Sequence, residues 1–173
     1  MAWSGQNSAA AQDGNAPRSD SGIGARHAAP SSTRSRGNVM SYGITTTLDQ
    51  PFEETLEAVR AALTAQGFGI LTEIDMAATL KAKLDVDTAP QVILGACNPP
   101  LAYRALQVEA SIGLLLPCNV VVRAVGASRT TVEALDPNVM VTVTGNGELR
   151  PVAADATSRL KAALRSLAPS PTV

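Results

Sequence analysis

Histidine and tryptophan are nearly missing from this chain of 173 residues: each occurs once, as His27 and Trp3. Both fall within the first 39 positions, so from Met40 onward the chain has no imidazole. That absence excludes Ser-His-Asp and Cys-His catalysis within one chain. It also excludes zinc sites with imidazole ligands. Aromatics make up only 3% of the chain, and beyond residue 39 they are Tyr42, Phe52, Phe68 and Tyr103. A core must therefore be built from Leu, Val, Ile, Ala and Met. Charge is sparse at 17%, and the formal net charge is −1. This balance excludes a basic nucleic-acid binder of the usual kind and a coiled coil. No apolar run is long enough to suggest a transmembrane helix. Neither a GxGxxG nor a Walker motif occurs, so a nucleotide-binding α/β domain has no support.

What is present divides into two unlike segments. Residues 1–39 hold four arginines (Arg18, Arg26, Arg34, Arg36) against Asp13 and Asp20. Their only large apolar residues are Met1, Trp3, Ile23 and Val39. Such a stretch cannot bury enough apolar surface to offset the entropy of ordering it. It reads as a disordered leader. A secretory signal is excluded, because no apolar run of the required length exists. A mitochondrial transit peptide fits the Arg and Ser content loosely, but the Asp residues and weak amphipathicity count against it. A genuine disordered tail is a further reading. The composition favours a third one, in which Met40 is the true start, because Met40-Ser41-Tyr42-Gly43 leads straight into a patterned segment. The absence of an export signal points to the cytoplasm.

Residues 40–173 carry ten basic and thirteen acidic residues. A segment of that size can bury roughly two-thirds of the surface its unfolded chain exposes. Tyr42–Leu48, rich in Thr and Ile, reads as a strand. Asp49-Gln50-Pro51 reads as a helix start, with a capping side chain and an early proline. Phe52, Leu56, Val59 and Leu63 then fall on one helical face. Glu53, Glu54 and Glu57 crowd the end where the helix dipole favours anions, and Gly67 marks the stop. Phe68–Glu73 reads as a second strand. Asp75 is expected to cap a short helix that repeats Met76, Leu80 and Leu84, with Lys81 and Lys83 near its end. Gln91–Cys97 is apolar enough for a central strand. Asn98-Pro99-Pro100 opens a helix running to about Glu109. Leu114–Pro117 is an apolar connection. Cys118–Val125 and Thr130–Leu135 form a hairpin around Gly126-Ala127-Ser128-Arg129. Asp136-Pro137-Asn138 is a turn. Val139–Val143 stays open between strand and helical turn. Gly145-Asn146-Gly147 is a loop. Pro151 opens a last helix whose buried face is Val152, Ala156, Leu160, Leu164 and Leu167, and residues 168–173 fray. The early alternation of strands and helices would suit a doubly wound sheet. The hairpin and the single late helix favour an α+β two-layer sandwich.

Three stretches carry a recognisable pattern. They are Gly69-Ile70-Leu71-Thr72-Glu73-Ile74-Asp75, Ile93-Leu94-Gly95-Ala96-Cys97-Asn98-Pro99-Pro100 and Gly113-Leu114-Leu115-Leu116-Pro117-Cys118-Asn119-Val120. With the Asp136-Pro137 turn they resemble the domain of unknown function 302 (DUF302) family, over residues 40–167. The resemblance implies a single small α+β domain with a curved, mainly antiparallel sheet and helices on one side, similar to the topology of TATA-binding protein. It implies a homodimer and a start at the position of Met40. It names no reaction and no cofactor, and it gives no ground to expect an enzyme.

Cys97 and Cys118 are the most distinctive chemistry. Cys97 precedes Asn98, the expected cap of a helix, where the dipole should lower a thiol pKa. A strand-helix-strand return could bring both cysteines to one end of the sheet. Three uses follow: a reversible disulfide, two thiolates for a soft metal such as Cu(I), or a nucleophile with a resolving partner. Against these stands burial as two small apolar residues. Two thiols alone cannot fill a structural zinc site, and a permanent disulfide does not suit a chain without a secretion signal. Asn98 reads first as a cap; Pro99 and Pro100 remove two donors that could have bound an anion there. Glu73, Asp75 and Asp136 are further candidate ligand-binding neighbours, with capping and turns as their simpler roles. Arg104 and Glu109 read as a solvated helix face. The acidic balance and the shortage of stacking aromatics speak against nucleic acid despite the TATA-binding-like topology. The expectation is therefore an α+β homodimer that binds a small ligand or a partner. A thiol-dependent redox or metal-binding protein and a purely structural module are the alternatives.

Overall fold

The computed structural model describes residues 42–168. The leader over 1–39, the start at Met40 and the chain beyond Ala168 lie outside the described residues. The elements run β1 (Gly43–Leu48), α1 (Phe52–Ala65), β2 (Gly69–Asp75), α2 (Met76–Leu84), β3 (Gln91–Cys97), α3 (Pro99–Val108), a 3-10 turn (Ala110–Leu115), β4 (Cys118–Gly126), β5 (Arg129–Leu135), α4 (Asn138–Thr144), a second 3-10 turn (Gly147–Leu149) and α5 (Arg150–Ser166). The strands form one antiparallel sheet in the order β1-β5-β4-β3-β2. This is the α+β sandwich expected from the sequence.

The period of two along each strand explains which face is covered. Val92, Leu94 and Ala96 of β3 alternate inward with Val120 and Val122 of β4 and Val132 and Ala134 of β5, and all are buried. On them lie Leu56, Val59 and Leu63 of α1 with Leu160, Ala163 and Leu164 of α5. Each such Val or Leu side chain contributes about 1.5–3 kcal/mol when fully buried. The helical spacing expected for α1 and α5 is thus the spacing that makes the core. A second apolar cluster gathers Leu101, Ala105, Ile112, Cys118, Met140, Leu149, Val152 and Ala156 at the end of the sheet where β3 finishes and β4 begins.

Two expectations are corrected here. Asp49 does not cap α1; the N-cap position is Pro51, with no side-chain cap, and Asp49 sits instead 3.8 Å from Arg129. The Thr55 hydroxyl donates to the Pro51 carbonyl at 2.9 Å, which satisfies the buried hydroxyl without capping the helix. In α2, Leu84 is 66% exposed and no residue of the helix is buried; the chain leaves it through Asp85 in the left-handed region (φ +54°). The Asp75 cap does form, accepting from the Ala78 N–H at 2.8 Å. The open question over Val139–Val143 is settled as helix α4: Asp136 and Pro137 turn the chain, and the helix ends on Gly145 at φ +67°. Among the described residues no helix is long and apolar enough to cross a membrane.

Candidate functional site

Cys97 is the last residue of β3, and Asn98 follows it as the N-cap of α3. Asn98 is buried and uses both ends of its amide. Its Oδ1 accepts from the Leu101 N–H at 3.3 Å, and its Nδ2 donates to the Gly67 carbonyl at 3.0 Å. The second bond ties the start of α3 to the turn after α1. Cys118 opens β4, and its ladder partner is Ala96, the neighbour of Cys97. The strand-helix-strand return therefore brings the two cysteines to the same end of the sheet. Both are free thiols; Cys97 is half-buried and Cys118 is buried at 5% exposure.

Both cysteines border one partly open pocket, which Phe68, Leu101, Leu116 and Met140 also line. Its volume is about 20 Å³, on a measure in which one water molecule needs roughly 10–15 Å³. It holds an atom or a water, not a drug-sized molecule. Among the described residues no charged side chain lines it.

The expected lowering of the Cys97 pKa does not occur. Burial instead holds this thiol above its ordinary value. The cause is visible at the helix start. Pro99 and Pro100 supply no N–H, and the Leu101 N–H is already taken by the Asn98 side chain. The end of α3 offers no free donor at those positions to stabilise a thiolate, and desolvation wins. Burial also pushes the Cys118 thiol up to about 11, with a further push from neighbouring Cys97.

The carboxylates named as neighbours are not brought to this cavity. Glu73 and Asp75 share ladder parity, opposite Leu94 and Val92, but each is engaged elsewhere. Glu73 pairs with Arg60, which also binds Glu57, and Asp75 caps α2. Asp136 is the hub of a turn: its Oδ1 accepts from the Asn138 N–H at 2.9 Å, from Asn138 Nδ2 at 2.8 Å and from the Thr157 hydroxyl at 3.1 Å. Glu109 accepts from the Ser111 N–H and from Asn146 Nδ2, both at 3.4 Å. Among the described residues no group of three or more His, Cys, Asp or Glu side chains could hold a metal ion. The residue the sequence did not single out is Met140. It lies in the segment left open between strand and helix, and α4 places it in the cavity wall.

The model of the family described as "Domain of unknown function DUF302" matches residues 44–167. No curated protein matches. Among solved structures the chain is similar to an uncharacterised conserved DUF302 protein from Bacillus stearothermophilus, at 30% identity and a TM-score of 0.68, over 74% of this chain and 99% of that one.

Proposed function

We propose, for a chain that belongs to the DUF302 family, that it is a binding module whose working site is the Cys97–Cys118 cavity. The guest is a soft, thiol-seeking species of about atomic size. One observation carries the reading: the two free cysteines, 21 positions apart in sequence, border one apolar cavity with room for a single small occupant. Thiol catalysis is the weaker use of this site. A nucleophilic cysteine needs a base or a stabilised thiolate, and among the described residues no base lines the cavity while burial favours the protonated thiols. Ordinary small-molecule sites run to roughly 300–1,000 Å³, far above this volume. The homodimer implied by the resemblance belongs to the proposal too, and sedimentation of the full chain tests it: a monomer at every concentration removes it.

The test of the site uses inorganic Hg(II) as an atom-sized probe of a thiol pair. The native chain is expected to take up one mercuric ion with loss of two protons, by intact mass. Both cysteines should then resist alkylation. Cys97→Ser and Cys118→Ser should each yield the ion to excess free cysteine. If the native chain instead takes two ions, or loses its single ion as readily as the variants do, the thiols are independent packing residues and the domain is a structural module.

A further inference from the structure

Met140 is buried at 4% exposure on α4 and lines the same cavity as the two cysteines. Three sulfur-bearing side chains thus come from three different elements: Cys97 from the end of β3, Cys118 from the start of β4 and Met140 from α4. The remaining wall is carbon, apart from Asn98, whose amide is committed to Gly67 and Leu101. No imidazole or carboxylate lines the cavity among the described residues.

Resting on the proposed function, we infer that the guest is a monovalent soft cation of the Cu(I) class, held by Cys97, Cys118 and Met140 as two thiolates and one thioether. The ligand chemistry makes the selection. Thiolate and thioether sulfur favour Cu(I), whereas calcium and magnesium require oxygen. Structural zinc takes four ligands, and only two anionic ones exist here. Copper(I) is satisfied by two or three sulfurs. The cavity also has room for one ion of this size.

Proton and charge balance are simple. One Cu⁺ enters, two S–H bonds break, two Cu–S(thiolate) bonds and one thioether bond form, and two protons leave to solvent. Copper keeps its oxidation state throughout. The bound unit carries one net negative charge, set by the two thiolates and the single positive ion. Because cysteine ligates a metal as thiolate, binding releases protons and tightens as pH rises.

The experiment is an anaerobic competition of the full chain against bicinchoninate for Cu(I), with copper X-ray absorption on the complex. The native chain should withdraw one equivalent of Cu(I), and the absorption should show a shell of sulfur only. Cys97→Ser and Cys118→Ser should each weaken binding about 100-fold, and Met140→Leu about tenfold. Leucine keeps volume and burial, so circular dichroism of Met140→Leu should match the native protein. The mercury probe should still be captured by Met140→Leu. A native chain that captures Hg(II) but leaves Cu(I) with the competitor overturns this inference while the dithiol site survives. Native affinity in Met140→Leu removes the third ligand. Failure to capture mercury defeats the site reading itself.

Discussion

The Asn98 side chain donates to the Gly67 backbone carbonyl at 3.0 Å, joining two points 31 residues apart. Gly67 is the left-handed stop of α1 at φ +80°, and Asn98 is the cap of α3. One amide therefore sets where one helix ends and another begins, beside the last residue of β3.

Asn98→Ala removes both bonds of that amide. Loss of an N-cap costs about 1 kcal/mol, and loss of a buried hydrogen bond about another 1 kcal/mol. Urea unfolding should show a drop of about 2 kcal/mol with an unchanged slope. Asn98→Asp should retain the cap but set an acceptor oxygen against the buried Gly67 carbonyl, so it should lose at least as much as the alanine variant. An Asn98→Ala variant as stable as the native chain would show that the turn after α1 stands without it.

Gly95 is the second local constraint. A Cβ built there would collide with the Thr72 hydroxyl and come within 2.7 Å of Pro117 Cγ. The threonine can rotate; the proline ring cannot. Gly95→Ala is expected to cost about 1–3 kcal/mol, as overpacking usually does. Adding Thr72→Ala should restore only part of it, because Pro117 still blocks the site. The double-mutant cycle by thermal unfolding reads the two contributions apart.

Much of this architecture is legible in residue order, for a definite reason. Where a face is buried against one partner layer, spacing alone identifies it: Leu56, Val59 and Leu63, or Val152, Ala156, Leu160 and Leu164, are both the sequence pattern and the core. Caps made by adjacent residues, such as Asp75 on Ala78, are legible for the same reason. Asp49 misled because a capping residue type two places before Pro51 says nothing of where Arg129 lies. The cysteine pair was legible as a pair, but its electrostatics were not. Desolvation raises the Cys97 thiol, and how deeply the end of β3 is buried is decided by the packing around it rather than by its neighbours in sequence. Met140 stayed hidden because Val139–Val143 is β-branched in composition yet helical in context.

Asp136 supplies a test of role rather than of stability alone. It accepts three hydrogen bonds, from Asn138 twice and from Thr157. Asp136→Asn keeps the shape but weakens acceptance, and should cost about 1–2 kcal/mol. Glu73→Gln, which removes an ion pair with a partly exposed Arg60, should cost less than about 1 kcal/mol. Neither change should alter Hg(II) capture at Cys97 and Cys118. Altered capture in Asp136→Asn would bring that carboxylate into the site from which its hydrogen bonds separate it.

Cys118 makes stability depend on pH in a direction that follows from its burial. Its thiol ordinarily titrates near 9.0 and is pushed up to about 11 in the fold, by desolvation first and by Cys97 second. The folded chain therefore holds this proton more tightly than the unfolded chain. Stability from that difference is fully present below about pH 9 and is lost as pH rises through about 11. Urea unfolding of the native chain should weaken more steeply over this window than that of Cys118→Ala, although the variant starts lower because it loses packing in the cluster around Met140. Alkylation gives the kinetic counterpart. At neutral pH, half-buried Cys97 should react before buried Cys118, and both should react more slowly than in urea. Parallel stability curves for the two proteins, together with fast alkylation of Cys118, would mean that this thiol is open to solvent.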